Sequence, residues 1–442
     1  MLNLKSKLLA TMAFLFGAGL AIAQDSGPLI DLLVKKGVVN DQEAEELRAE
    51  LVKDFVANTS AGKLNLSSAL TELKIAGDVR MRYEARSGEV AGDSLSRDRL
   101  RYRLRLGLSG KMLNNWAWGV RLETATGSRS SNVTMGDDAA GPFAKNSDGL
   151  NVGQVWVQYS PTSEWNFIAG RMANPLVNTL LVWDGDINPE GFAEQYKHRA
   201  GKIEYSATMA QFLYNAANTQ KAIGVATRVQ DMGLLAYQGG LKFYLNDAGT
   251  SYFQFNPTVY QYLNEQGARN PLPFRGAFSP TNIFGVNNLT VVDVPMEYTW
   301  VARGVPMRLF GDFAVNLDGD QRAKAYGRPD LTGEDKAFQI GLQYGKAVNK
   351  GEWDAKIGYQ STGAFALDPN LVDSDIFDSR TNMRGWVFNA NYALGAATQL
   401  TLTYANAERK NKTITAPGAG DVGTNNKIDN YKMLQVDLNV KF

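Results

Sequence analysis

The feature that most constrains this chain is an alternation of apolar and polar residues with a period of two, from about residue 72 to the C-terminus. In one segment Leu100, Tyr102, Leu104, Leu106 and Leu108 alternate with Arg99, Arg101, Arg103 and Arg105. Successive side chains of a β-strand point to opposite faces, so each segment predicts a strand with one apolar and one charged face. Repeated segments of about ten such residues are typical of strands that cross a membrane, with lipid outside and water inside.

The connections between these segments alternate in length. Short ones are predicted at 113–115, 161–163, 199–201, 246–249, 303–305, 349–351 and 395–397, and long polar ones at 86–97, 128–150, 172–190, 215–231, 263–287, 318–335, 365–383 and 410–430. Seven short and eight long connections join sixteen strands. The sequence therefore predicts an all-β transmembrane β-barrel of about 16 antiparallel strands, within two, spanning residues 71–442. The barrel must close because unpaired backbone groups are costly in hydrocarbon, and this size leaves an aqueous interior.

A soluble β-sandwich also has alternating strands and is the competing fold. It would have to bury rows of charges or leave rows of aromatic residues bare, and it does not predict regular alternation of long and short connections. The barrel is therefore favoured.

Two segments precede the barrel. Residues 1–23 read as a signal peptide, with Lys5 and Lys7 before an apolar run at 8–20 and small residues at 21–23. Residues 24–70 predict a periplasmic helical hairpin and a linker, in which Asn40 and Glu43 form a capping motif. We leave open whether this hairpin packs on its own neighbour, self-associates or contacts a periplasmic partner.

The composition excludes several chemistries. The chain has no cysteine and one histidine, which removes thiolate sites and makes histidine metal clusters improbable. Its 46 basic and 45 acidic residues give no reason to expect a nucleic-acid partner. The one histidine, His198, lies near a predicted short turn and is a poor candidate for hydrolytic catalysis. The acidic stretch between Asp368 and Asp378 could bind a divalent cation, although a solvated surface loop is the favoured interpretation. No catalytic, metal or cofactor site is expected.

The candidate pore residues are arginines and loop acids. Residues with the alternation expected for the barrel interior are Arg80, Arg82, Arg99, Arg101, Arg103, Arg105 and Arg121. The third long connection, 172–190, is more apolar than the others and carries Asp184, Asp186 and Glu190. We hypothesise that the arginines face these acids across the pore, with Asp78, Glu84 and Glu123 as further counter-charges. The alternatives are that the arginines form a solvated lumen wall without special effect, and that the third loop is a structured external loop that caps a neighbour.

The chain resembles bacterial outer-membrane porins, and more narrowly the "putative porin" family, whose members join a short N-terminal helical segment to a barrel. The resemblance is carried by the terminal strand at 431–442, by the segment from Gly170-Arg171 to Gly191, and less specifically by residues 29–51. It implies that the third loop folds inward and that the chain forms a homotrimer. It also implies that the last strand is the signal read by the barrel-assembly machinery, through Leu434, Val436, Leu438, Val440 and Phe442.

These observations predict a passive diffusion channel for ions and small hydrophilic solutes in the Gram-negative outer membrane, with no enzymatic activity. Its expected surroundings are outer-membrane lipids and lipopolysaccharide. The alternatives are a substrate-specific channel, anion-selective among other options, and a structural anchor of the outer membrane.

Overall fold

The computed structural model describes residues 34–36, 40, 42–46, 66–90, 92–124, 130–137, 141–142, 149–215, 231–263, 288–416, 418, 420–422 and 427–442. The chain divides into two compact units, Met1–Ser68 and Ala69–Phe442. The predicted signal peptide and most of the predicted hairpin lie outside the described residues. Of the helices described, none is long and apolar enough to cross a membrane.

The N-terminal unit contains the capping motif that the sequence predicts. The backbone N–H of Glu43 donates to Asn40 Oδ1, and the backbone N–H of Asn40 donates to Glu43 Oε2, each at 2.9 Å. Residues 42–46 are helical, and Ala44 is 2% exposed. Reciprocal bonds of this kind satisfy two backbone donors that a helix start otherwise leaves free.

The second unit is built from β-strands. They are β1 Leu70–Val90, β2 Asp93–Met112, β3 Trp116–Thr124 with Val133–Thr134, β4 Leu150–Tyr159, β5 Trp165–Arg171, β6 Glu190–Ala200, β7 Ile203–Asn215, β8 Met232–Tyr244, β9 Tyr252–Phe255 with Thr258–Leu263, β10 Thr290–Asp293 with Met296–Ala302, β11 Val305–Asn316, β12 Lys336–Gly345, β13 Trp353–Thr362, β14 Met383–Gly395, β15 Thr398–Arg409 and β16 Ile428–Lys441. Each strand pairs antiparallel with the next along the chain, and β1 pairs antiparallel with β16, for example Arg82 opposite Asp437. The predicted sixteen-stranded antiparallel barrel is confirmed.

Prolines explain why β9 and β10 are each in two pieces. Pro257 and Pro295 stand at the two interruptions, and proline has no N–H to give to a ladder. Their carbonyls still accept neighbouring backbone bonds, from Gly239 to Pro257 and from Asn256 to Pro295, both at 3.0 Å. The sheet therefore continues across both breaks.

The two faces of the barrel follow the alternation in the sequence. Large apolar side chains such as Ile75, Phe192 and Trp386 are 62%, 61% and 56% exposed on the outer face. On the opposite face of β1 and β2, Arg82 and Arg103 are 4% and 3% exposed. An apolar exterior and a charged interior are the arrangement that a lipid surround requires.

The first external connection differs from its prediction. Residues 86–97 are not a long loop, because β1 and β2 pair from Arg86 opposite Arg97 to Val90 opposite Asp93. Gly92 has a φ of 90°, a conformation that glycine adopts without a steric cost. The polar sequence suggested a loop, but a hairpin that rises beyond the lipid is polar on both faces and keeps its backbone pairing. The connection 318–335 likewise contains a helix, α1 Gly319–Ala325, and a 3₁₀ segment, Pro329–Asp335.

Candidate functional site

One side of the barrel interior carries a dense row of arginines, which we call the arginine wall. It comprises Arg80, Arg82 and Arg86 of β1 with Arg99, Arg101, Arg103 and Arg105 of β2. The strand register sets Arg82 directly opposite Arg101 and Arg80 opposite Arg103. Like charges on directly opposite positions destabilise a sheet, so the wall needs carboxylates between its members.

Carboxylates from the barrel strands supply part of this compensation. Asp437 of β16 accepts two bonds from Arg82, at 2.6 and 2.8 Å, in the bidentate geometry that arginine favours. Asp78 accepts bonds from Arg103 at 2.6 Å and from Arg105 at 2.8 Å. The sequence analysis anticipated Asp78 but not Asp437, because only closure of the barrel brings β16 beside β1.

Glu84 is the central carboxylate of the wall. It is fully buried, contacts Arg99, and lies 3.1 Å from Arg86 and 3.5 Å from Arg101. The predicted site residue Arg121 lies apart on β3, where it pairs with Glu123 at 3.2 Å. Among the described residues, each arginine of the wall lies within 4.0 Å of a carboxylate.

The third loop, residues 172–189, brings one of its predicted acids to the arginine wall. Asp186 lies 3.9 Å from Arg103 Nη1 and 3.7 Å from Arg105 Nη1. Asp184 is buried and instead accepts a bond from the backbone N–H of Ser374 at 3.0 Å, so it joins the third loop to the seventh.

The third predicted acid, Glu190, does not face the arginine wall. It is the first residue of β6 and shares the outward face of that strand with the exposed Phe192. There it pairs with Arg171 at 2.5 Å. The sequence analysis placed Glu190 in the loop, whereas the start of β6 fixes it on the opposite face.

The seventh loop, residues 363–382, supplies the acids that the sequence analysis missed. Asp375 accepts bonds from Arg82 at 2.9 Å and from Arg86 at 2.7 Å, and Asp378 accepts one from Arg86 at 2.8 Å. Asp421 of the eighth loop contacts Arg99. The interpretation of this acidic stretch as a solvated surface loop is wrong, since Asp368, Asp373 and Asp378 are 4%, 9% and 1% exposed. Asp375 and Asp378 are 289 and 292 residues from Arg86 along the chain, so the sequence holds no local signal of these contacts.

The lone pairs of the seventh-loop acids are taken by protein donors rather than left open for a cation. Asp368 Oδ2 accepts bonds from the hydroxyls of Tyr214 and Tyr262, both at 2.8 Å. Asp373 Oδ1 accepts bonds from the backbone N–H groups of Asp375 and Ile376 at 3.0 and 2.6 Å. Within the described ranges, no group of three or more acidic or histidine side chains is arranged to hold a metal ion.

The pKa values of the loop carboxyls are shifted in different directions. Burial alone raises the pKa of Asp375, but the charges of Arg82 and Arg86 outweigh it and hold that pKa below its ordinary value. Burial also opposes the effect of Arg86 and Arg99 on Asp421, whose pKa is again lowered. For Asp373, burial raises the pKa, and the carboxylates of Asp184 and Asp375 raise it further. Asp375 and Asp421 are therefore the charged partners of the arginine wall.

The third loop is fastened to strands on the far side of the barrel from the arginine wall. The side chain of Gln238 on β8 exchanges two bonds with the backbone of Val177, at 2.9 and 2.8 Å. Thr179 donates to Asp312 of β11. The buried loop residues Leu181 and Trp183 belong to one apolar cluster with Phe212, Leu234, Tyr260 and Leu371.

A cavity of about 230 Å³ lies between the third loop, the seventh loop and strands β11–β14. The loops contribute Asn178, Leu180, Trp183 and Ile376, and the strands contribute Arg308, Phe310, Gln339, Lys356 and Gln360. None of these strand residues was anticipated, since Arg308 and Lys356 are isolated cations on different strands and make no charge pattern along the sequence.

The sequence matches the family described as "Putative porin" over residues 91–290 and 282–442. Among curated proteins, none matches it. Solved structures that it resembles include a mutant of the Rh. blastica porin, with 8% identity, a TM-score of 0.44, and coverage of 84% of this chain and 100% of that one. Others are Pseudomonas putida OprB, with 10% identity, a TM-score of 0.47, and coverage of 83% and 94%, and a loop-deletion mutant of Vibrio cholerae OmpT, with 10% identity, a TM-score of 0.42, and coverage of 84% and 99%.

Proposed function

Because the chain belongs to the "putative porin" family and is a β-barrel channel of the outer membrane, we propose that it passes ions and small polar solutes by passive diffusion. The observation that carries this proposal is the position of the third loop. It bonds to Gln238 and Asp312 on one side of the interior and brings Asp186 to the arginine wall on the other. A loop with contacts on both sides narrows the aqueous path, which supports its role as an inward-folded constriction loop.

The charges at this constriction act at short range. Two unit charges 4 Å apart interact by about 1 kcal/mol in bulk water and by about 4 kcal/mol at an effective dielectric constant near 20. A water-filled path that runs past the ion pairs of Asp186 with the arginine wall therefore contains ordered water and favours polar solutes over apolar ones. In this proposal Arg80, Arg105 and Asp186 keep part of their side-chain surface exposed and line the pore. The buried Arg82, Arg99, Arg101 and Arg103 lie behind them in the wall, and Asp184 positions the third loop.

Conductance across a planar bilayer tests this function. Refolded mature protein should give stable, ohmic single-channel steps in KCl. Arg101→Ala together with Arg103→Ala should shift the reversal potential in a salt gradient toward cations, because carboxylates at the constriction lose their partners. Absence of channel steps from correctly folded barrels would refute the proposal, and an unchanged reversal potential would remove the arginine wall from it.

The proposal includes export and assembly. Residues 1–23 act as a signal peptide, residues 24–70 remain in the periplasm, and Leu434, Val436, Leu438, Val440 and Phe442 are read by the barrel-assembly machinery before insertion among lipids and lipopolysaccharide. Deleting Phe442 should leave the chain uninserted, whereas deleting residues 24–60 should preserve conductance. Heat-modifiable migration of outer-membrane fractions measures the first, and bilayer recordings the second.

A homotrimer is the proposed assembly, and one outward pair supports it. Glu194 lies on the outer face opposite Met209 and bonds to Gln211 at 2.9 Å, beside the exposed Phe192. A carboxylate that faces hydrocarbon is costly, so a neighbouring subunit over this face would be favourable. Glu194→Arg should dissociate trimers in detergent, as measured by light scattering, while Glu164→Arg on the periplasmic rim should not.

A further inference from the structure

We propose that the cavity between the third loop, the seventh loop and strands β11–β14 binds small organic carboxylates on their way through the pore. This inference rests on the proposed channel function and adds a class of solute to it. It depends on the different chemistry of the two sides of the cavity, on a cation without an ion pair to a described carboxylate, and on the size of the space.

The two sides of the cavity differ in charge. The strands contribute two cations, Arg308 and Lys356, and two carboxamides, Gln339 and Gln360, beside the ring of Phe310. The loop residues of the lining are uncharged, and they include the apolar side chains of Leu180, Trp183 and Ile376 beside the polar Asn178 and Thr179. A solute that satisfies both sides carries hydrogen-bond acceptors at one end and hydrocarbon at the other.

The strand side holds one cation, Lys356, that makes no ion pair at contact distance with a described carboxylate. Arg308 donates from Nε to Glu297 at 2.6 Å, and its guanidinium lies 5.1 Å from the ring centre of Phe310. Lys356 Nζ lies 5.8 Å from the same ring, and no carboxylate in the described part of the chain lies within 4.0 Å of it. The neighbouring acid on its strand, Asp354, already accepts bonds from Asn391 and from the backbone of Ala347, at 2.8 and 3.1 Å.

These features select a carboxylate rather than a halide or a sugar. An ammonium and a guanidinium favour an anion, and the guanidinium and carboxamides donate in directions that carboxylate oxygens accept. The apolar side chains of the loops stabilise a bound solute by removing its hydrocarbon part from water. A simple inorganic ion has no hydrocarbon part and gains no such stabilisation. Since sites for drug-sized ligands measure roughly 300–1,000 Å³, a space of about 230 Å³ fits a smaller solute. Benzoate and hexanoate are suitable probes.

Binding at this position must be weak for the channel to conduct, because a solute has to leave as readily as it enters. We therefore expect millimolar benzoate to reduce the KCl current reversibly and to saturate, while benzyl alcohol at the same concentration has little effect. Lys356→Gln should raise the half-blocking concentration of benzoate by about tenfold, the loss expected for one charge-assisted hydrogen bond. Lys350→Gln, in the exposed turn after β12, is the matched control and should block like the wild type.

The experiment combines bilayer recordings with saturation-transfer NMR of benzoate on barrels refolded in detergent. Reduced block and reduced transfer in Lys356→Gln, with both intact in Lys350→Gln, support the site. Equal block in the two variants overturns it, as does equal block by benzyl alcohol. If KCl steps remain but benzoate neither blocks nor shows transfer, the carboxylate site fails and the channel stands. If no steps occur although benzoate binds through Lys356, the proposed channel function fails and the site stands.

Discussion

Two regions of the barrel interior differ in how their positive charges are compensated. On the arginine wall, Arg82 and Arg86 are buried and shared among Asp375, Asp378, Asp437 and Glu84. On β13, four strands from β1 around the barrel, Lys356 has no described carboxylate within 4.0 Å and borders a cavity. Removing one partner of a buried pair is costly, whereas an unpaired cation beside water remains free to meet a solute. The comparison indicates that densely packed, paired charges on the inner wall stabilise the fold, while an isolated cation is available to bind a solute in the pore.

The largest expected effect comes from breaking the arginine wall at Arg86. Arg86→Met removes one partner from each of the buried carboxylates Glu84 and Asp378, and loss of a buried partner costs about 3–5 kcal/mol. We expect a lower unfolding temperature, faster proteolysis of the seventh loop and a shift toward cation selectivity. Calorimetry, limited proteolysis and reversal potentials measure these changes. A stability equal to that of the wild type would mean that the ion pairs do not hold the loop.

Acid should release the seventh loop only at a pH well below the ordinary carboxyl range. The pKa of Asp375 is lowered in the folded state, so its stabilisation is complete above the unfolded value and is lost as the pH falls through the folded value. Asp373, whose pKa is raised, has the opposite sign, and its contribution declines as the pH rises. Loop proteolysis measured from pH 7 to pH 2 should therefore show protection at pH 4. Asp375→Asn should remove that acid transition, and a transition of the wild type near pH 5 would contradict the assignment.

A carboxylate placed beside Lys356 sharpens the comparison from the other side. Gln339→Glu adds an acid to the cavity lining and makes this side resemble the arginine wall. We expect a change of a few-fold in relative permeability toward cations, without loss of folding, because the new charge borders water. Reversal potentials with Gln343→Glu as the control, a strand position that does not line the cavity, test this. Equal shifts in both variants would assign the effect to general charge.

The smallest effect is expected at Arg121. The side chain of Arg121 keeps 22% of its surface exposed, and its partner Glu123 is buried and also accepts a bond from Ser131 at 3.0 Å. Arg121→Gln should cost about 1 kcal/mol or less and leave the conductance almost unchanged, as for other partly solvated pairs. Thermal unfolding beside Arg86→Met measures the difference. A comparable loss in both variants would remove the distinction between the arginine wall and its edge.

Much of the fold could be predicted from the sequence because a membrane-spanning strand has apolar residues on its lipid face and polar residues on its inner face, and these alternate along the chain. The strand count, the short turns and the inward set of arginines depend only on this local pattern. The hairpin at 86–97 was missed since polar residues there do not distinguish a loop from a strand that has left the lipid. The outward position of Glu190 was missed because the predicted loop ended at residue 190, whereas the strand begins at that residue and fixes its side chain on the outer face.

The sequence by itself determined that the chain forms a closed barrel with an apolar skin and an arginine-rich interior. Only the tertiary structure decided which acids meet those arginines. Asp375 and Asp437 reach Arg82 from the far end of the chain, through barrel closure and the folding of the seventh loop. Alternation is a local property of a strand, whereas charge pairing across a lumen depends on distances that no spacing along the chain encodes.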